Sequence, residues 1–323
     1  MAGTRTLEMD RQFAELIRTA IAAGGPPIAT LPVEESRATY RQRYLERGAT
    51  PVELNRIQDI SIDGPGGPVS CRLYDPEARR RGEALIYFHG GGFVVGDIEA
   101  YDPQCRQMAS RTGCAIVSVG YRLAPEHPFP AAVEDALAVA EYLLGCAETM
   151  GLDPDAIAVG GDSAGGNLAA VVAQHFRGSD RRIRFQLLLY PSLDKTPFVD
   201  GGAHYQSIED YSSGFFLDKS TMEWFTDHLL ENPRSAWDHR ASPLLADDLS
   251  GVCPAYIVTA GFDPLRDIGK AYADKLSAAG ATVLYRCFDP LIHNFLGYVR
   301  VIDAAESAFQ IICADTRAAM DFS

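Results

Sequence analysis

The sequence predicts an α/β fold in which a mainly parallel central sheet is flanked by helices on both faces. From Ala84 onward, short apolar runs rich in β-formers alternate with helical stretches, as crossover connections between parallel strands require. Four of the runs end in loops that carry chemistry, and in an open α/β sheet the carboxyl ends of strands are where sites are built. With 323 residues, 47% hydrophobic and 22% charged, the chain can bury a large core.

The elements follow in order. Phe13, Leu16, Ile17, Ala20 and Ile21 recur at helical spacing and are stopped by Gly24-Gly25-Pro26-Pro27; a second helix runs around Glu34 to Glu46. Alternation at Val69, Cys71 and Leu73 after Gly64-Pro65-Gly66-Gly67 predicts a hairpin strand. Then come a strand at Ala84 to Phe88, a strand at Ala115 to Val119 and a helix near Ala131 to Cys146. A strand at Ala156 to Val159, a helix from Ala164 to Phe176 and a strand at Phe185 to Tyr190 continue the pattern. The sheet pauses for about 60 residues, Ser192 to Pro254, too long for an ordinary connection. It resumes with strands at Ala255 to Ala260 and Thr282 to Phe288, and a helix over Ile302 to Met320 closes the chain.

The most informative segment is Gly161-Asp162-Ser163-Ala164-Gly165, lying between a strand-like and a helical run. A serine in so tight a turn needs glycines on both sides, and its hydroxyl is left exposed over the positive end of the following helix. Upstream, Ala84 to Phe88 leads into His89-Gly90-Gly91-Gly92. Consecutive glycines leave backbone N–H groups without partners, a cost that makes sense where an anion is to be bound. Gly91, Gly92 and Ala164 are the expected donors to an oxyanion.

A serine nucleophile needs a base, and the base needs an orienting acid. Asp263 lies just past the strand Ala255 to Ala260, and His293 just past the strand Thr282 to Phe288. Other groups compete less well. Asp267 starts a helix, where an acid interacts with the dipole, and Asp289 precedes Pro290 in what reads as a turn. His127 lies in a proline-rich loop, His175 in a helix, and His204, His228 and His239 in the long insert, while His89 is better placed to orient the glycine loop.

These motifs resemble those of the hormone-sensitive lipase family of α/β-hydrolases, the bacterial carboxylesterases with an H-G-G-G loop and a G-D-S-A-G elbow. The resemblance extends to Tyr121-Arg122-Leu123-Ala124-Pro125-Glu126-His127-Pro128-Phe129-Pro130-Ala131, Ala241-Ser242-Pro243-Leu244-Leu245 and Asp263-Pro264-Leu265-Arg266-Asp267. It implies an α/β-hydrolase fold with a helical cap. It also implies Ser163 as nucleophile, His293 as general acid/base, Asp263 as its partner, and Gly91, Gly92 and Ala164 as oxyanion donors. The activity implied is hydrolysis of short to medium acyl esters through an acyl-serine, with no metal and no cofactor. Lipase, lactone or amide hydrolase and deacetylase activities use the same triad, and a small-molecule receptor is the non-catalytic alternative. Two positions depart from the family pattern: Ile268, expected to alter the pocket rim, and Asn294 after the histidine, where asparagine tolerates positive φ.

Residues 1–50 are expected to supply cap helices, 51–195 and 240–323 the catalytic domain, and 196–239 a cap insert whose Tyr205, Tyr211, Phe215, Phe216, Trp224, Phe225 and Trp237 line an acyl or alcohol pocket. Lys plus Arg number 29 against 43 Asp plus Glu, a net charge of −14, which disfavours nucleic acid and anionic membranes as partners. Met1 to Arg11 has mixed charge and does not read as a signal peptide, and no apolar run approaches the roughly 20 residues of a membrane span. The seven cysteines are scattered without a C-x-x-C pair, which points to a reducing cytoplasm; Cys114 and Cys287 read as small buried hydrophobes. The strand at Thr282 to Phe288 is an edge that can pair with a second copy to form a homodimer, unless the C-terminal helix covers it.

Overall fold

The computed structural model describes residues 7–76 and 82–320, so the first six residues of the N-terminal stretch lie outside it. Strands β1 (Arg56–Gly64), β2 (Gly67–Asp75), β3 (Gly82–Phe88), β4 (Ala115–Gly120), β5 (Leu152–Asp162), β6 (Gln186–Leu189), β7 (Ala255–Phe262) and β8 (Val283–Ile292) form one sheet, in the order β1-β2-β4-β3-β5-β6-β7-β8. β2 runs antiparallel to both neighbours, and every pairing from β4 through β8 is parallel.

The described α-helices are α1 (Arg11–Ala23), α2 (Val33–Arg47), α3 (Ile98–Thr112), α4 (Ala131–Cys146), α5 (Ala164–His175), α6 (Gln206–Asp210), α7 (Lys219–Leu229), α8 (Arg266–Ala278) and α9 (Asp303–Met320). Local chemistry sets several ends. Asp10 caps α1 by accepting from Gln12 N and Phe13 N, and Asp97 and Asp218 cap α3 and α7 in the same way. No described helix is long and apolar enough to cross a membrane.

Alternation along the strands divides the core in two. Ile86 and Phe88 of β3, Val117, Val159 and Ile257 pack with Val139, Leu168 and Leu276 of α4, α5 and α8. Leu85 and Tyr87, Ile116, Ala158 and Val258 face the other way, onto Met108 of α3 and Phe309 of α9. The side-chain period of two in a strand makes this division automatic once both faces are covered.

The strand predicted at Ala156 to Val159 is longer in the fold, because β5 runs between β3 and β6 and pairs with both. Asp289 and Pro290, read as a turn, lie within β8, past a register shift between Ala260 and Phe262. Proline is tolerated there because β8 is the last strand of the sheet, where a missing N–H need not break the ladder, and the Pro290 carbonyl accepts from Asp10 N at 2.9 Å. The same edge position leaves Cys287 half-buried instead of buried, whereas Cys114 is buried. Helix α9 packs on α3 and on one face of the sheet, with Arg286 of β8 reaching Asp315 at 2.8 Å.

Residues 190–254 leave the sheet after β6 and carry α6 and α7. Three contacts tie this insert down beside the loops at the strand ends. Ser207 of α6 donates its N–H to Asp267 Oδ2 (2.9 Å) and its hydroxyl to Pro264 O (2.7 Å). Tyr211 and Phe215 pack their rings on Phe262. Phe225 of α7 joins Val94, Val95 and Ala124 in a small apolar cluster, to which Ile28 and Val33 of the N-terminal region add.

Candidate active site

The turn between β5 and α5 places Ser163 at φ 52 and ψ −112, a left-handed conformation that costs a side-chain-bearing residue about 1–3 kcal/mol. Its N–H donates to Leu189 O (2.9 Å), and its carbonyl accepts from Ser192 N (3.0 Å) and Asn167 N (3.2 Å), so the strain is held by both neighbouring elements. The flanking glycines are steric requirements. A Cβ on Gly165 would sit on the carbonyl of Phe88, and one on Gly161 would sit on the backbone of Gly165.

Three side chains drawn from separate strand ends meet here. His293 Nε2 lies 3.0 Å from Ser163 Oγ, and His293 Nδ1 lies 2.8 Å from Asp263 Oδ2. Asp263 is fully buried, and its other oxygen accepts from Leu265 N at 2.7 Å, which fixes the carboxylate plane. A carboxylate accepting from Nδ1–H leaves Nε2 as the acceptor, so the imidazole is set to take a proton from the serine hydroxyl. Asn294 follows at φ 57, the left-handed conformation expected of it. Ile268 differs from expectation: it is fully buried in the core, because its helix face points at the sheet and away from any rim.

The glycine loop crosses in front of this turn. Gly91 (φ 117), Gly92 (φ 60) and Phe93 (φ 66) all have positive φ. The N–H groups of Gly91, Gly92 and Ala164 donate to no acceptor among the described residues. A Cβ on Gly92 would enter the ring of Phe225, so the insert packs directly on the loop. His89 is buried, with Nδ1 2.8 Å from Gly90 O and its ring stacked on Tyr121; burial pushes its imidazole down to about 4, which keeps it neutral. It orients the loop and does not approach the serine as a base.

The aromatic residues of the insert divide. Phe225 lies on the loop and Phe216 stacks on Tyr298, but Tyr205 donates its hydroxyl to Asp194 (2.7 Å), and Trp237 is 47% exposed, beside Phe198 and Arg234 in an open depression. Local sequence does not distinguish these fates, because neighbouring elements decide which rings are covered.

Two buried ionisable groups beside the site received no role from the sequence. Asp162 is in the quoted pentapeptide, yet its side chain points away from solvent into a cluster of tyrosines, and burial pushes its carboxyl up to about 6. Lys195 is 4% exposed. Its ammonium donates to Ser192 Oγ (2.8 Å) and sits 5.0 Å from the centre of the Phe93 ring, and burial lowers it to about 8. A lysine next to Asp194 and between Leu193 and Phe198 gives little signal, because its burial depends on the path of the insert.

A family model described as the alpha/beta hydrolase fold matches residues 85–297. The chain belongs to this family and, within it, to the hormone-sensitive lipase-like group. Esterase LipI of Mycobacterium tuberculosis is 39% identical over 287 residues, covering 86% of this chain and 87% of the relative. Ethyl acetate hydrolase of Pseudomonas putida is 34% identical over 310 residues, 93% of this chain and 95% of that protein. Among solved structures, an ester-hydrolase from the metagenome of Lake Arreo superimposes with a TM-score of 0.89 at 37% identity, over 96% of this chain and 98% of its own. A hyperthermophilic esterase from Pyrobaculum calidifontis gives 0.88 at 34%, over 97% and 99%.

The buried lysine makes a prediction about stability. A folded-state value of about 8, below the ordinary lysine value, means that the ammonium opposes folding fully below that pH and that stability is regained as pH rises toward the ordinary value. Lys195→Met is therefore expected to raise the melting temperature at about pH 7, and the gain should shrink by about pH 9.5, when scanning calorimetry compares the two proteins.

Proposed function

We propose that this protein is a serine carboxylesterase that hydrolyses small esters of short to medium acyl chain length. The observation that carries the reading is the continuous path from Asp263 through His293 to Ser163, with separations of 2.8 and 3.0 Å. The names of the relatives given above, an esterase, an ethyl acetate hydrolase and an ester-hydrolase, support the same activity.

In this mechanism Ser163 Oγ attacks the ester carbonyl as its proton passes to His293 Nε2, and the carbonyl π-electrons move onto oxygen. The oxyanion is met by the N–H groups of Gly91, Gly92 and Ala164, which donate to no acceptor among the described residues, and by the N-terminal end of α5. Collapse of the tetrahedral adduct expels the alkoxide, which takes the proton from His293 and leaves an acyl-serine. Water then repeats the sequence, giving up a proton to His293 and returning Ser163 with a free carboxylic acid. Asp263 holds the imidazole and stabilises its charged form without taking its proton.

The cap in this reading consists of residues 1–50 and the insert 196–239. Its support is the apolar cluster where Phe225 meets Ile28 and Val33 over the glycine loop. The position of β8 as the last strand of the sheet supports a homodimer formed by edge pairing, and seven free thiols support a reducing, cytoplasmic setting.

Ser163→Ala is expected to abolish hydrolysis of p-nitrophenyl butyrate while the melting curve is retained, and an organophosphate is expected to label the parent protein stoichiometrically at Ser163. Substantial residual turnover, or labelling elsewhere, rejects the assignment. Phe225→Ala should shift the preferred substrate toward longer or bulkier acyl groups in a rate series from acetyl to palmitoyl esters, and an unchanged profile removes the cap from substrate selection. Light scattering should give twice the chain mass, 35.1 kDa for one copy, and a monomer mass rejects the edge-paired dimer.

A further inference from the structure

An oxyanion loop cannot be held in place by the N–H groups it offers to the substrate, so its anchors must lie elsewhere. In this protein they converge on Asp162 and on helix α2. The Asp162 carboxylate is buried and accepts from Tyr87 Oη (2.8 Å), Tyr101 Oη (2.9 Å) and the N–H of Gly90 (3.0 Å), the residue that opens the glycine loop. Gly90 N also lies 3.2 Å from Tyr101 Oη. Tyr101 in turn is 2.8 Å from the hydroxyl of Tyr40 on α2. Tyr44, one turn along, donates to Gln104 Oε1, and Gln104 Nε2 donates to Tyr87 Oη (2.9 Å), closing the network on β3.

The far side of the loop is tied to the same helix. Arg37 Nε donates to Val94 O and its Nη2 to Ala124 O, each at 2.9 Å, while a bidentate pair with Glu126 orients the guanidinium. Arg41 Nε donates to Asp97 Oδ2 (2.8 Å), and Asp97 caps α3 directly after the loop. Helix α2 thus grips the chain at both ends of three consecutive positive-φ residues, Gly91, Gly92 and Phe93, adding to the local bonds from Val94 N and Val95 N to Gly91 O.

We propose that Asp162 is a positioning residue that couples helix α2 to the oxyanion loop, fixing the Gly90 N–H and, through the tyrosine network, the donors that follow it. This rests on the esterase reading of the loop. Three neutral donors surround the carboxylate: Tyr87 from β3, Tyr101 from α3 and the Gly90 amide. Beyond them lie Tyr40 and Tyr44 of α2, Tyr190 after β6, and His293, whose charge favours the ionised form of Asp162. Protonation turns one carboxylate oxygen into a donor and weakens its acceptance, at Oδ1 from Tyr87 and the Gly90 N–H or at Oδ2 from Tyr101, so the loop loosens as the carboxyl, raised by burial to about 6, takes up a proton.

The test compares Asp162→Asn and Tyr40→Phe with the parent enzyme on p-nitrophenyl butyrate. Asp162→Asn should lower kcat by about 10- to 100-fold with little change in KM, since misplaced oxyanion donors act on the transition state. Tyr40→Phe should lower kcat by roughly 5-fold, the worth of one hydrogen bond. The acid limb of the parent log kcat profile should fall more steeply than for one proton, and Asp162→Asn should reduce it to a single-proton limb. The stability of the variant moves in the opposite direction. A folded value raised to about 6 means that Asp162 favours the fold fully below about pH 4 and that this is lost as pH rises through 6, so the variant's melting temperature should gain on the parent's across that window. A parent enzyme without turnover refutes the esterase reading itself. An active parent whose Asp162→Asn variant keeps kcat within about 2-fold and an unchanged acid limb overturns the coupling alone. If Asp162→Asn fails to fold, Tyr40→Phe and Tyr101→Phe decide, and parent-like kcat in both overturns it.

Discussion

Ser163 can present its hydroxyl only while its own backbone stays at φ 52, and the surroundings of the turn are arranged to maintain that conformation. β5 delivers the chain to the turn and α5 carries it away at once, so the carbonyl of Phe88 and the backbones of residues 161 and 165 come too close for any side chain. Hydrogen bonds to Leu189 O and from Ser192 N tie the turn to β6 and to the start of the insert. Strain of this kind persists only where the fold over-determines it, and here a central parallel strand, a fully packed helix and a neighbouring strand do so together.

Around that turn the protein accepts electrostatic costs that its core avoids elsewhere. Asp263, Asp162 and Lys195 are all buried within a short distance of the serine or its neighbours. Each is treated differently. Asp263 is paired with His293 and an amide, so its charge is used. Asp162 has hydroxyl and amide donors without a cation, and its carboxyl rises to about 6. Lys195 has one hydroxyl and an aromatic face, and falls to about 8. Burial of a charge is tolerable in proportion to the donors and acceptors that replace water, and the two shifts show where that replacement is incomplete.

Helix α2 and the insert both bear on the glycine loop: α2 through arginine and tyrosine hydrogen bonds, α7 through the ring of Phe225. Segments that are remote in sequence therefore bear on the same few backbone amides. The polar grip of α2 restrains the ends of the loop, whereas the apolar contact at Gly92 restrains its middle, and a loop of glycines has little stiffness of its own to resist either.

The amino-acid sequence by itself determined the layered α/β architecture, since two-residue and helical periodicities appear in turn from Ala84 onward. It also determined the G-D-S-A-G turn and the glycine loop, since only glycine meets the close approaches at residues 161, 165 and 92. The order of serine, acid and histidine was legible because each follows a strand. Tertiary structure alone decided the rest. Asp289 and Pro290 read locally as a turn but extend β8, because an edge strand tolerates a missing amide. Ile268 faces the sheet and not a pocket rim, and the insert's aromatic rings divide among loop, core and surface. Asp162 acquires its character from partners tens of residues away, and Lys195 from the distant Phe93 ring as well as nearby Ser192, and burial against such partners is a property of the assembled chain that local spacing does not encode.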